Sequence, residues 1–173
     1  IITGTERMKQ RPIRILVDAL RELGADIEYV ENEGYPPLRI TGKELIKNEI
    51  SLPGNVSSQY ISALLMIAPV LRNGLNIFLK GEIISLPYIN LTLQLMKEFG
   101  VEDAWDSENS LQIATQSYAS IPYTVESDWS SASYWYQIAA LADEGEITLS
   151  GMLHNRYQGD HRGEEVCEKL GVK

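Results

Sequence analysis

A helix-stop signal occurs three times in this chain of 173 residues, and it constrains the fold more than any other feature. The copies are Leu23-Gly24-Ala25, Phe99-Gly100-Val101 and Leu170-Gly171-Val172, with the glycines 76 and 71 residues apart. In each, a helix-favouring run ends on glycine, the residue that most readily takes the left-handed backbone conformation closing a helix. A second element recurs with it. Ser57-Ser58 opens an apolar stretch over 57–71, and Ser130-Ser131 opens another over 130–142, 73 residues later. Each is followed by a glycine (Gly74, Gly145), a strand-like run (76–79, 146–149) and a further glycine (Gly81, Gly151). Common solenoids repeat every ~20–50 residues. The longer period here predicts a larger unit of two helices and several strands, used more than once.

The helices differ in kind. From about Pro12 onward, Ile13, Leu16, Val17, Leu20 and Leu23 form one buried stripe, while Arg14, Asp18 and Arg21 take the wet side. Pro12 suits the first helical position. The stretches 60–71 and 132–141 are apolar nearly all round, which predicts burial on every side, with Leu64, Leu65, Met66 and Ile67 in the core. Strands are expected over 26–30, 38–41, 49–52, 76–79, 101–105, 111–114 and 123–126. Buried helices inside and sheets outside predict an inverted α/β (α+β) packing. A strand follows the first two helix stops, but only Val172-Lys173 follows the third, and Ile1 is not a start residue. The expectation is therefore a segment of a longer protein. The polar stretch 115–122, ending in Pro122, is the expected linker.

Charge and composition exclude more than they assign. A net charge of −9 disfavours nucleic acid as a partner. Yet residues 1–14 hold Arg7, Lys9, Arg11 and Arg14 against Glu6 alone. A basic spot on an acidic chain reads either as a site for a small anionic ligand or as a solvated charge run. No apolar run approaches the ~18 residues of a membrane span. Cys167 is the single cysteine, so no internal disulfide forms; that usage suits a cytoplasmic protein. His154 and His161 are the two histidines, and no His/Cys cluster forms a metal motif.

Five motifs then follow in order: Gly4-Thr5-Glu6-Arg7-Met8-Lys9-Gln10-Arg11-Pro12-Ile13, Gly54-Asn55-Val56-Ser57-Ser58-Gln59-Tyr60, Ser85-Leu86-Pro87-Tyr88-Ile89, Ser130-Ser131-Ala132-Ser133-Tyr134 and Asn155-Arg156-Tyr157-Gln158-Gly159-Asp160. Together they closely resemble the 5-enolpyruvylshikimate-3-phosphate synthase family, over essentially the whole chain. The resemblance implies an inside-out α/β barrel of repeated βαβαββ units, in two domains with the active site in the cleft between them. Residues 1–121 would be the later part of the N-terminal, shikimate 3-phosphate-binding domain, and residues 122–173 the beginning of the C-terminal one. It also implies transfer of the enolpyruvyl group of phosphoenolpyruvate to the 5-hydroxyl of shikimate 3-phosphate, with release of phosphate and without metal or organic cofactor. The implied partners are these two small molecules and the rest of the parent chain.

Arg7 resembles the family arginine that contacts the phosphate of phosphoenolpyruvate, a task suited to a planar, two-pronged donor. Lys9 and Arg11 read as neighbours that raise the local potential or pair with acids. Ser57 and Ser58 stand at a helix start, where serine is a common N-cap and where hydroxyls and free N–H groups also meet anions. In the family that serine pair helps bind shikimate 3-phosphate. Gln59 resembles the glutamine set between the two substrates, and Ser85 and Tyr88 match two further shikimate 3-phosphate contacts. Ser130 and Ser131 read as helix caps that record the duplication. Asp128, Asn155, Gln158 and Asp160 read as structural. No catalytic acid or base of the family matches a residue of this chain. Two rivals stand beside this reading: the sister enzyme acting on UDP-N-acetylglucosamine, whose reactive cysteine loop has no match here, and a non-catalytic interaction module on the same fold.

Overall fold

The computed structural model describes residues 1–102, 104–152 and 157–172; His154 and Asn155 lie outside them. The chain divides into two compact units, Ile1–Ala119 and Ser120–Lys173.

In the first unit, β3 (Glu49–Pro53) pairs in parallel with β4 (Leu75–Lys80), in register from Glu49 against Asn76 to Pro53 against Lys80. A parallel pair needs a crossover. It is supplied by α2 (Ser58–Ile67) and a 3-10 turn, Ala68–Val70, at Pro69. Next come α3 (Leu86–Glu98) and the antiparallel hairpin β5 (Ala104–Ser107) and β6 (Ser110–Ile113), giving the sheet order β3-β4-β6-β5. The sequence of elements is βαβαββ, one whole unit of the kind the family resemblance implies. Before it, α1 (Arg14–Glu22) and the antiparallel pair β1 (Asp26–Tyr29) and β2 (Leu38–Thr41) reproduce the closing αββ portion.

Alternation along the strands makes one face of the four-stranded sheet apolar. Ile50, Leu52, Leu75, Ile77, Leu79, Leu111 and Ile113 are all buried. They pack with Ile61, Leu64 and Leu65 of α2, Ile89, Leu93 and Met96 of α3, and Ala19 of α1. Val17 of α1 turns instead to Ile27 and Leu38 of the small sheet. Helices thus lie inside and sheets outside. Burial of α2 is not complete, however: Met66, expected in the core, is 52% exposed. The buried positions 61, 64 and 65 fall within about 100° of one another around the helix, and Met66 lies on the opposite side.

The three glycine stops close their helices in the same way. The N–H groups of Ala25, Val101 and Val172 donate to the carbonyls of Leu20, Met96 and Cys167, and those of Gly24, Gly100 and Gly171 donate to Arg21, Lys97 and Glu168. This is the paired bond set of the Schellman motif. The glycines have φ of 110°, 80° and 96°. Val101, expected in a strand, is spent on this closure, so β5 begins at Ala104 instead.

Other boundaries also move for identifiable reasons. The first helix starts at Arg14 rather than Pro12, because the Pro12 carbonyl accepts the Tyr60 hydroxyl at 2.6 Å and the Ile13 N–H donates to Gly34 at 2.8 Å. The expected linker is fastened over its first half. The Gln116 side chain takes the place of a strand neighbour to Glu102, accepting from its N–H and donating to its carbonyl, while the Tyr118 hydroxyl donates to Met66 and the Ala119 N–H to Phe99.

The second unit holds α4 (Trp129–Leu141) and α5 (Arg162–Lys169), with a 3-10 turn at Gly159–His161 leading into α5. The strands expected over 123–126 and 146–149 are not formed. Just beyond those segments the Ser127 N–H donates to the Gly151 carbonyl at 3.3 Å, a single bond where a strand needs a ladder. Helix α4, expected to be buried all round, buries only Trp129 and Ala132; within this unit α5 and the 3-10 turn cover one side, leaving Tyr134, Trp135, Ile138 and Leu141 exposed. The cap of α4 is Asp128, not Ser130 or Ser131. Its carboxylate accepts from the Ser130 N–H at 3.0 Å and the Ser131 hydroxyl at 2.6 Å. The hydroxyl of Ser130 donates to Asp160, and Gln158 bridges the Trp129 N–H and the Ser127 carbonyl. The hydrogen bonds that Asp128 accepts from Ser131 and Ser130, that of the Ser131 hydroxyl foremost, hold its carboxyl below the usual carboxylate range.

Two expectations follow. Gly24→Ala meets no steric obstacle but forces a side chain into φ 110°, so it should cost about 1–2 kcal/mol in chemical denaturation. Gly42→Ala, at an ordinary φ in open space, should cost little by comparison. Asp128→Ala should speed amide exchange at Ser130 at neutral pH. Because the folded-state pKa is depressed, the cap acts above the unfolded Asp value and is lost as pH falls through the folded one. The exchange difference from wild type should therefore vanish only in acid, once the pH has fallen below the ordinary aspartate range.

Candidate functional site

Parallel pairing of β3 and β4 decides where the helix starts lie. Pro53 and Lys80, the last residues of the two strands, are register partners, so α2 and α3 both begin beyond the same end of the sheet. The two strand-to-helix connections approach closely. The Gly54 N–H donates to Lys80 at 2.7 Å, and a Cβ at Gly54 would lie 2.8 Å from the Glu82 carbonyl oxygen. Farther along, the hydroxyls of Ser62 and Thr92 meet at 2.7 Å and join α2 to α3. Each stands four residues beyond a candidate, Ser58 and Tyr88. One turn back, ~5.4 Å, the same facing sides of the two helices carry Ser58 and Tyr88. The structure thus brings Ser57, Ser58, Gln59, Ser85 and Tyr88 to one rim.

On this rim the serines do not cap. Ser57 and Ser85 are the N-cap residues of α2 and α3, yet neither side chain bonds to its own helix. The hydroxyl-to-backbone bond that makes serine a favourable N-cap is absent at both. At α4 the corresponding start is satisfied by Asp128 and Asp160, carboxylates that would repel an anion. The duplicated Ser-Ser motif therefore has two electrostatic characters: neutral and open in the first unit, acidic and self-satisfied in the second.

Arg7 stands in the segment leading to α1, exposed, just before the 3-10 turn Met8–Gln10. That turn is held by the Met8 and Lys9 N–H groups donating to Thr5. The Tyr60–Pro12 hydrogen bond ties the segment to the first turn of α2, three residues from Ser57. Lys9 ion-pairs with Glu31 at 3.3 Å and Glu6 at 3.4 Å, and these partners, Glu31 first, raise its pKa above the ordinary lysine value. Arg14 pairs with Glu33 at 2.7 Å. Among the described residues Arg7 and Arg11 make no ion pair. The site is thus a basic segment and a hydroxyl-lined rim in one unit, able to hold anionic oxygens. Ser62 and Thr92, which set the spacing of the rim, were not singled out in the sequence. Their signal is the hydroxyl one turn after each candidate. No group of three or more His, Cys, Asp or Glu among the described residues is arranged for a metal ion, and no described helix is long and apolar enough to cross a membrane.

Comparison with known proteins places this geometry. The family model for EPSP synthase (3-phosphoshikimate 1-carboxyvinyltransferase) matches residues 1–173. A 3-phosphoshikimate 1-carboxyvinyltransferase of Bacteroides fragilis is 67% identical over 171 residues, covering 99% of this chain and 42% of the relative. One from Haemophilus influenzae is 47% identical over 175 residues, covering all of this chain and 40% of the relative. The chain thus spans about two fifths of the length of these relatives. The solved EPSP synthase of Acinetobacter baumannii superimposes with a TM-score of 0.72 at 22% identity, over 98% of this chain and 36% of that one, which speaks to the fold. On the whole-length match and the identity to these relatives, the chain belongs to the EPSP synthase (3-phosphoshikimate 1-carboxyvinyltransferase) family.

Proposed function

We propose that this chain forms the later part of the N-terminal domain and the start of the C-terminal domain of a cytoplasmic enolpyruvyl transferase. That enzyme joins the enolpyruvyl group of phosphoenolpyruvate to the 5-hydroxyl of shikimate 3-phosphate. The carbon–oxygen bond to the phosphate breaks, a new one to the 5-oxygen forms, and inorganic phosphate leaves. The observation that carries the reading is the pair of adjacent helix starts whose serine hydroxyls are not used as caps. Ser57, Ser58, Ser85 and Tyr88 would hold the phosphorylated shikimate. Arg7 would hold the phosphate of phosphoenolpyruvate, and Gln59, with both donor and acceptor groups, would stand between the two. Helix N-termini supply free N–H groups and a favourable dipole for the anions.

This chain contributes binding, not proton transfer. The general acid and base must come from elsewhere in the parent protein, since such groups have to reach both reacting partners.

Two variants of the full-length protein test the assignment. Arg7→Ala should weaken phosphoenolpyruvate by roughly tenfold or more, the scale of a lost charged hydrogen bond, with little change for shikimate 3-phosphate. Equal loss for both would sink the assignment of Arg7. Ser58→Ala should weaken shikimate 3-phosphate several-fold, by about the value of a neutral hydrogen bond, while leaving the unfolding midpoint in place. A fall in the midpoint without a change in affinity would return this serine to a structural role. Substrate titration by calorimetry and urea unfolding read the two outcomes separately.

A further inference from the structure

The basic segment before α1 is crowded with opposite charge. Glu6 is the immediate neighbour of Arg7, and Glu31 reaches the same turn from the connection between β1 and β2. Both carboxylates are held by one ammonium, Lys9 Nζ, at 3.4 Å and 3.3 Å. Lys9 is half-buried, whereas Arg7 lies exposed two residues earlier on the same tight turn and makes no ion pair among the described residues. A carboxylate and a phosphate present the same kind of oxygen pair to a guanidinium, so each competes for the fork. A carboxylate on the same turn competes at the high effective concentration of an intramolecular partner.

We propose that Lys9 is a positioning residue that keeps Arg7 open, by occupying the carboxylates of Glu6 and Glu31 that would otherwise pair with the guanidinium and shut out an anionic ligand. This rests on the reading of Arg7 as a phosphate ligand. Lys9 itself touches no substrate. It fixes the partner choice of two acids, and Arg7 is left without an ion pair beside the rim. The Glu31 contact also ties the turn to the β1–β2 connection, so one ammonium sets both where the turn sits and which charge remains available.

Initial rates of the full-length enzyme, with phosphoenolpyruvate varied at saturating shikimate 3-phosphate, test this. Lys9→Gln should raise the KM for phosphoenolpyruvate by about three- to tenfold, with kcat and the KM for shikimate 3-phosphate within about twofold of wild type. Lys9→Arg, which can hold both carboxylates, should stay near wild type. Adding Glu6→Gln and Glu31→Gln to Lys9→Gln should restore the KM, because nothing then competes for Arg7. Adding Glu22→Gln and Glu49→Gln instead changes the net charge equally at remote exposed positions and should restore nothing. An unchanged KM in Lys9→Gln, a triple variant as weak as the single one, or equal rescue by the remote pair would each overturn the proposal. Arg7→Ala run alongside separates the two levels. If it weakens phosphoenolpyruvate while Lys9→Gln does not, only the role of Lys9 falls. If it has no effect, the reading of Arg7 falls and this inference with it.

Discussion

The parallel pairing of β3 with β4 is the constraint on which the rest depends. An antiparallel neighbour would have put the two following helices at opposite ends of the sheet. Parallel strands in register from Glu49–Asn76 to Pro53–Lys80 put both helix starts at one end. The crossover that such a pair requires is α2 itself, so the element that satisfies the topology also delivers the serines. The apolar sides of α2 and α3 fill the space over the strands, and their hydroxyl-bearing sides meet at Ser62 and Thr92. Topology, core and rim are thus one arrangement seen at three scales.

Much of this was legible in the residues, and the reasons can be named. The helix stops were readable because φ near 100° admits little besides glycine, so Gly24, Gly100 and Gly171 carry their conformation in their identity. A unit of two helices and several strands was readable because strand-like and helix-like runs alternate between those stops; the βαβαββ order itself came only with the family resemblance. Less legible was anything that depends on a partner. The segments 123–126 and 146–149 have strand-like composition, but neither forms a strand, and the bond from Ser127 to Gly151 lies just beyond them. Pro12 has a residue type suited to a helix start, yet its carbonyl is claimed by Tyr60, 48 positions away. Ser130 and Ser131 look like caps, but the cap is the aspartate just before them.

The candidate site divides along the same line. Residue types at Arg7, Ser57, Ser58, Gln59, Ser85 and Tyr88 could be picked out by motif. That α2 and α3 start at the same sheet end is a fact of strand order, visible only in three dimensions. The pairing of Lys9 with Glu31 spans 22 positions and joins a turn to a hairpin connection. Sequence offered it only as one of two fates for a lysine among acids.

The close approach at Gly54 has a consequence for how such a site can change over generations. Backbone faces backbone there, 2.8 Å from where any side chain would begin, so the gap between the two connections cannot be widened by a single substitution without disturbing the sheet below. The rim side chains are under no such restraint, because Ser57 and Ser85 hold up no helix of their own. Mutational drift is therefore channelled. The width of the opening is inherited with the fold, while its hydrogen-bonding character can be rewritten one hydroxyl at a time.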